Sequence, residues 1–318
     1  MIFMKNSLWI LAASVLIALT LNSCKKFQGD VTIPAFIHID RIDVVRQAQN
    51  APSAEEGFYT SLIDAVELVG YFEGDASETS FGVFELPCTV PILRHGKMKY
   101  LTANPVVKQD GVSGTHIAYP FYQPIRLEGI PLAPEDTTML GDYDAATGDY
   151  CLHTHYYTKG ARLRVLAECY FEPTSFSTCL DSNVIWVAND PAGACTGHGY
   201  GRVHVPDSVK ILTFGFVDST EFDPAGSRIL YMELEYKTDL PLYIHMLGFS
   251  TTQNSTITSK SVMCINPKDR WNKIYINLGR TWSQFNYRTP ISVYFQVINE
   301  SGVEGDILID NIKVLTTT

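Results

Sequence analysis

Leu242-Tyr243-Ile244-His245-Met246 and Ile274-Tyr275-Ile276-Asn277-Leu278 each place an aliphatic side chain at every second position. A period of two marks a strand with one face against a core, because successive side chains point to opposite faces. Ile291, Val293, Phe295 and Val297 repeat the pattern, and Ile307, Ile309, Ile312 and Val314 repeat it with a break at Asp310-Asn311. One extra residue at that break suits a β-bulge. Asp223-Pro224-Ala225-Gly226, Asn266-Pro267-Lys268-Asp269 and the run from Ser301 to Asp306 separate such stretches with turn-forming residues. Short strands punctuated in this way predict a β-sandwich. Ile276 and Val293 fall on its buried face, and Lys273 and Gln296 on the face toward water or a partner.

Outward from these strands, helical periods are scarce. The one helix candidate runs from Ser53 to Val69, with Ser53 and Glu56 spaced as a capping box. Its second half, from Leu62, continues into Tyr71-Phe72 and reads better as strand. Residues 131–150 are polar and acidic. The chain therefore divides into an N-terminal domain over 31–135, an acidic linker over 136–161 and a C-terminal domain over 162–318. The fold class expected is all-β, with two β-sandwich domains.

A hydrophobic content of 46% and a charged content of 18% are those of a globular chain. Lys plus Arg is 24 against 34 for Asp plus Glu, a net charge of −10. Such a surface repels phosphate backbones, so nucleic acid is not an expected partner. Gly111-Val112-Ser113-Gly114 is one residue short of a nucleophile elbow, and neither H-E-x-x-H nor a P-loop occurs. The carboxylates are scattered, which leaves a glycosidase pair open, since such pairs form in space rather than in sequence.

The N-terminus is an address. Lys5 is the only charge before an apolar stretch from Leu8 to Leu21, too short for a stable membrane span and suited to a signal peptide. It ends Leu21-Asn22-Ser23-Cys24, which resembles a bacterial lipobox. That resemblance implies cleavage after residue 23, acylation of Cys24, a short tether over 24–30 and anchorage in the outer membrane, on a face left open. Asp136-Thr137, Asp207-Ser208 and Asp218-Ser219 resemble Bacteroidota O-glycosylation acceptors, with Thr137, Ser208 and Ser219 as the modified residues.

The segments from Ile33 to Asp40 and from Phe84 to Leu93, with Tyr119-Pro120-Phe121-Tyr122, resemble a group of Bacteroidota outer-membrane lipoproteins. The N-terminal sandwich is expected to be immunoglobulin- or fibronectin-like. Glu168-Cys169-Tyr170-Phe171-Glu172 and the run from Gly305 to Ile312 are similar to the first and last strands of a carbohydrate-binding-module jelly roll. The resemblance implies a structural calcium between those strands, with Glu168, Glu172 and Asp310 as candidate ligands, or else strand-end carboxylates with no ion. No other cofactor is expected.

Cys151, His153 and His155 share one face of a strand and could ligate zinc or copper, or form a polar face. Asp142 to Asp149 collects oxygen ligands around Gly148 without EF-hand spacing and reads as solvated loop. Sugar binding needs exposed aromatic rings. Trp186 lies in an apolar run that reads as core, Trp271 could fill the end of the sandwich, and Trp282, in a polar stretch, is the one of the three best placed to be exposed and to bind a glycan, with a buried loop Trp as the commoner alternative for so large a side chain. Besides Cys24, six cysteines remain. Cys169 with Cys179 is the easiest pair, at most one bridge is expected, and Cys88 and Cys264 read as buried thiols. The first functional expectation is a non-enzymatic accessory subunit of an outer-membrane protein complex. The alternatives are a glycan-binding lipoprotein using the C-terminal jelly roll and, more distantly, a hydrolase.

Overall fold

The computed structural model describes residues 33–48, 51–158, 162–172, 180–216, 229–249, 257–285 and 290–318. Strands dominate them, and the helical elements among them are a 3-10 turn at Glu56–Tyr59 and one helical turn at Gly279–Trp282. The chain is all-β and builds two β-sandwiches. Within 53–69 the helix candidate resolves into that 3-10 turn and the strand Ala65–Phe72. Val66, Leu68 and Phe72 enter the core while Glu67 and Tyr71 do not, a burial pattern that only a strand supports.

In the N-terminal sandwich, Gly96–Lys108 is the central strand of a five-stranded sheet. It pairs on one side with Ala65–Phe72, which pairs in turn with Thr79–Glu85. Its 13 residues are long enough to hold Ile125–Leu132 and His116–Ala118 one after the other on the opposite side. The facing layer is built on Ala35–Ile39 and its continuation Arg41–Val44. Ala35–Ile39 lies between Cys88–Ile92 and Thr137–Met139, and Arg41–Val44 pairs with Tyr150–Thr154. Ile37, Ile39, Val66, Leu68, Val90 and Leu101 meet in the core between the layers. Residues 136–161 are thus not simply a linker. Thr137–Met139, Asp142–Tyr143 and Tyr150–Thr154 are strands of this sandwich. Sequence polarity misleads there because two of the three strands are exposed on an edge.

The C-terminal sandwich packs a six-stranded sheet on a four-stranded one. In the larger sheet Gly305–Thr316 lies beside Leu230–Thr238, which borders Lys268–Asn277. On its other side Gly305–Thr316 pairs first with Tyr200–Val205 and, past Asn311, with Arg164–Cys169. The change of partner coincides with a register shift and a positive φ of 48° at Asn311, the bulge that the broken period anticipates. The smaller sheet runs Ile211–Gly215, Ile291–Ile298, Leu242–Phe249, Ile257–Ile265. Ile244, Ile276, Val293, Phe295, Ile309 and Val314 close the core between them.

A third buried cluster joins the halves. Tyr231, Glu233 and Glu235 point out of the six-stranded sheet, together with Lys273, Tyr275, Lys313 and Leu315. The near end of the N-terminal sandwich covers them with Phe58, Tyr119, Phe121, Tyr122 and Tyr156. Lys273, expected to face water or a partner, faces this other half of its own chain and is buried.

Candidate functional site

One sheet face of the C-terminal sandwich is spent on the seam, so the outer face of the four-stranded sheet is the one left open. The strand Leu242–Phe249 that decides the fold also presents Tyr243, His245, Leu247 and Phe249 on this side, between its buried aliphatics. Ser292, Tyr294 and Gln296 come alongside from Ile291–Ile298, paired with Leu247, His245 and Tyr243. Thr213 and Gly215 pair with Gln296 and Tyr294 from the other side. These strands form an open groove of about 550 Å³, bordered by Phe216, Phe249, Ile257 and Tyr294.

Gly215 keeps the groove open. A Cβ there would stand 2.8 Å from the Tyr294 Cβ and 3.0 Å from the Val293 carbonyl oxygen. Tyr294 is held in place from two directions. Its ring stacks on His245 with centroids 4.8 Å apart and planes 12° apart. Its hydroxyl shares a 2.8 Å hydrogen bond with Ser259 Oγ. Burial lowers the pKa of His245, so the imidazole under the ring is neutral at neutral pH. Among the described residues lining the groove, Asp181 is the one that carries charge. Its carboxylate accepts the Asn183 N–H at 2.9 Å and the Gly215 N–H at 2.8 Å. The groove is therefore a mostly apolar surface with aromatic walls, hydroxyls from Thr213 and Ser292, and no uncommitted charge.

The sequence candidates lie elsewhere. Trp282, the candidate for an exposed sugar-binding ring, is wholly buried in the C-terminal core. The single turn Gly279–Trp282 sends Arg280, Ser283 and Gln284 outward and rotates the indole inward, so the polar neighbours mislead. Trp186 is half-buried and donates to the Phe171 carbonyl at 2.5 Å, and Trp271 donates to the Gly193 carbonyl at 2.9 Å. Glu168 accepts the Tyr170 hydroxyl at 2.8 Å. Glu172 accepts the His198 N–H at 2.9 Å and borders a cavity of about 340 Å³ with Glu55 and Glu56. Asp310 is buried in the bulge, where burial, followed by Glu235, pushes its carboxyl up to about 8.

Cys151 and His153 lie two residues apart in the strand Tyr150–Thr154 and His155 follows its end, and each of the three is engaged separately. The Cys151 thiol donates to Asp43 at 3.2 Å, and burial pushes it up to about 11. His153 lies 3.6 Å from Asp142, and His155 Nδ1 is 2.9 Å from the Val45 carbonyl oxygen. Among the described residues no group of three His, Cys, Asp or Glu side chains is disposed to hold a metal ion, neither here nor at Glu168, Glu172 and Asp310. Cys169 is disulfide-bonded, and its expected partner Cys179 lies outside the described residues. Cys88, Cys151, Cys195 and Cys264 are thiols, with Cys264 exposed rather than buried. Thr137 and Ser208 are exposed, whereas Ser219, Cys24 and the signal peptide lie outside the described residues. The described residues hold no helix long and apolar enough to cross a membrane.

No protein-family description matches the chain, and no curated protein does. Among solved structures, the chain is similar to a family 11 carbohydrate-binding module from Clostridium thermocellum in complex with a β-1,3-1,4-mixed-linked tetrasaccharide. The identity is 12% over 49% of this chain and 96% of the module, with a TM-score of 0.32. A family 30 carbohydrate-binding module matches at 9% identity over 49% of this chain and 88% of the module, with a TM-score of 0.35. An exo-β-agarase matches at 10% identity and a TM-score of 0.33 over 46% of this chain, which spans 25% of the enzyme. Likeness at this level says nothing by itself about a ligand.

Proposed function

We propose that the chain is a lipid-anchored, non-enzymatic glycan-binding protein whose ligand lies along the outer face of the four-stranded sheet. The observation that carries the reading is the open groove with Tyr294 and Phe249 in its walls and polar groups from Thr213 and Ser292 between them. A sugar ring offers apolar C–H faces and hydroxyl edges, and a mostly apolar groove with a few fixed polar groups suits both. The lipobox-like Leu21-Asn22-Ser23-Cys24 supports the anchor.

Affinity electrophoresis of the mature protein through gels containing neutral or acidic polysaccharides tests the reading. Retardation by a neutral polysaccharide is expected, with loss of retardation in Tyr294→Ala and Phe249→Ala but not in Tyr100→Ala on the other sandwich. If no polysaccharide retards the wild type, the glycan reading fails. The accessory-subunit expectation is then the one to pursue, by pull-down from detergent-solubilised membranes.

A further inference from the structure

Gly96–Lys108 runs the length of the N-terminal sandwich, and the residues just after its end meet the C-terminal half: Gln109 bridges to Tyr275, and the Asp110 N–H donates to the Tyr275 carbonyl at 2.8 Å. A strand of that length spans roughly 40 Å at about 3.3 Å per residue. Its other end, at Gly96, is therefore the tip farthest from the seam. The described chain begins at that same tip. Ala35 pairs with Ile92, and the His95 imidazole contacts the Ile33 carbonyl.

Eight residues lie between Cys24 and Ile33, nine Cα–Cα steps in all. Nine such steps can span no more than about 30 Å. The tip is thus the part of the molecule that a lipidated Cys24 holds closest to the bilayer. It exposes apolar side chains there: Leu93 is 69% and Ile33 44% exposed, with Pro91 exposed beside them. The charges around them do not favour an anionic surface. Arg94 is paired with Asp75, Lys97 is exposed, and Glu135 and Asp136 stand on the opposite rim.

We propose that Ile33 and Leu93 at this tip seat on the lipid surface to which the chain is tethered. The N-terminal sandwich then acts as a stand-off that holds the groove of the C-terminal sandwich away from the membrane. The occupant is the bilayer itself. The apolar pair sits at the attachment point, and the mixed charge of the rim leaves hydrophobic contact as the attraction. The stacking order follows from the fold: tip, N-terminal sandwich, six-stranded sheet, four-stranded sheet, groove. This inference rests on the lipid-anchor reading.

The test uses lipidated full-length mature protein reconstituted on phosphatidylcholine vesicles, with and without bromine on the acyl chains. Leu93→Trp should show fluorescence beyond that of the parent protein that is quenched ~twofold or more by brominated chains, as expected of a side chain at the headgroup–acyl boundary. Ile33→Trp should behave likewise. Ile257→Trp, exposed at the groove, should not be quenched. The quenching should survive high salt. Protein that floats with the vesicles while the tryptophans at 93 and 33 stay unquenched overturns the seating and leaves the anchor standing. Cys24→Ser protein that floats equally well overturns the anchor reading, and the seating with it.

Discussion

Glu233 and Lys313 face each other in register across Leu230–Thr238 and Gly305–Thr316, both wholly buried, with Lys313 Nζ 3.4 Å from the Glu233 carboxylate. Neither is held by its own sandwich alone. The Tyr119 hydroxyl donates to Glu233 at 2.8 Å and the Tyr156 hydroxyl at 2.9 Å, and the Lys313 ammonium donates to the Phe58 carbonyl. Lys273 completes the group, 3.1 Å from both Glu233 and Glu235, and also reaches Thr60 at 3.1 Å. Burial alone would push the Glu233 carboxyl up, but Lys313 and Lys273 together hold it below its ordinary value. The seam is a polar network closed by donors and acceptors from both halves.

Breaking this network from one side should be costly. Glu233→Ala leaves two buried ammonium groups facing one remaining carboxylate, and removing one partner of a buried pair costs about 3–5 kcal/mol. Chemical denaturation of the full mature chain should show a loss of that size. A loss below about 1 kcal/mol would mean that water enters the seam and the network is not sealed.

The isolated C-terminal half, 162–318, should still fold. Its core of Ile244, Ile276, Val293, Phe295, Ile309 and Val314 lies entirely within it. It should melt earlier than the full chain, because Tyr231, Tyr275 and Leu315 lose the rings that cover them. A fall of more than about 5 °C is expected, as each kcal/mol moves a domain of this size by ~2–4 °C. Circular dichroism checks both points. A fragment with no cooperative melt would show that the two halves share one core.

The strands were legible in the sequence because alternation reports burial on one face directly, and the break at Asp310-Asn311 reported the bulge. The seam was not legible. Glu233, Glu235, Lys273 and Lys313 sit at outward positions of their strands, where charge is the normal choice for a wetted face. Only the partner strands, more than a hundred residues distant for Tyr119, make those positions interior. The groove was hidden for the converse reason. Tyr294 and Phe249 alternate with core aliphatics and read as ordinary outer-face residues, whereas a tryptophan in a polar stretch is the more conspicuous sign of a sugar-binding ring. Isolated Thr, Ser and Gln around Trp282 imitated a surface loop because a single helical turn was too short to leave a period.

Trp282 and Tyr294 should therefore respond oppositely to truncation. Trp282→Ala empties a large volume of the C-terminal core and should cost about 3–5 kcal/mol. Below its melting temperature it should leave polysaccharide retardation unchanged. Tyr294→Ala removes a half-buried ring from the groove wall and should lower retardation with a much smaller loss of stability. Gly215→Ala should mimic Tyr294→Ala, since its Cβ would displace Tyr294. Denaturation midpoints and affinity gels on the same preparations decide this. Loss of binding in Trp282→Ala while it is fully folded would move the site toward the sandwich end.

Asp310 makes the stability of the fold depend on pH. It is buried, its Oδ1 accepts the Asn311 N–H at 2.8 Å, and the Thr196 backbone N–H also faces its carboxylate. Burial, followed by Glu235, raises its carboxyl from an ordinary 3.8 to about 8. In that window the native state keeps a proton that the unfolded chain has lost, so stability falls as pH rises and the contribution is gone above the folded value. Lys313 works in the opposite sense, but only higher up. Burial lowers it from 10.5 to about 8, and its native form sheds a proton that the unfolded chain keeps between those values. Glu233 and His245, both lowered, add slopes of their own in the acid range. Asp310→Asn isolates the Asp310 contribution, because the amide oxygen can still accept the Asn311 N–H. Relative to wild type, the variant should gain stability steadily from pH 5 to pH 8, by several degrees in Tm at ~2–4 °C per kcal/mol. Parallel curves would show that Asp310 is ionised throughout. A calcium ion held at Asp310 would ionise the carboxyl and flatten the difference, so the same pair of melts repeated with calcium and with chelator also tests the calcium expectation at this bulge.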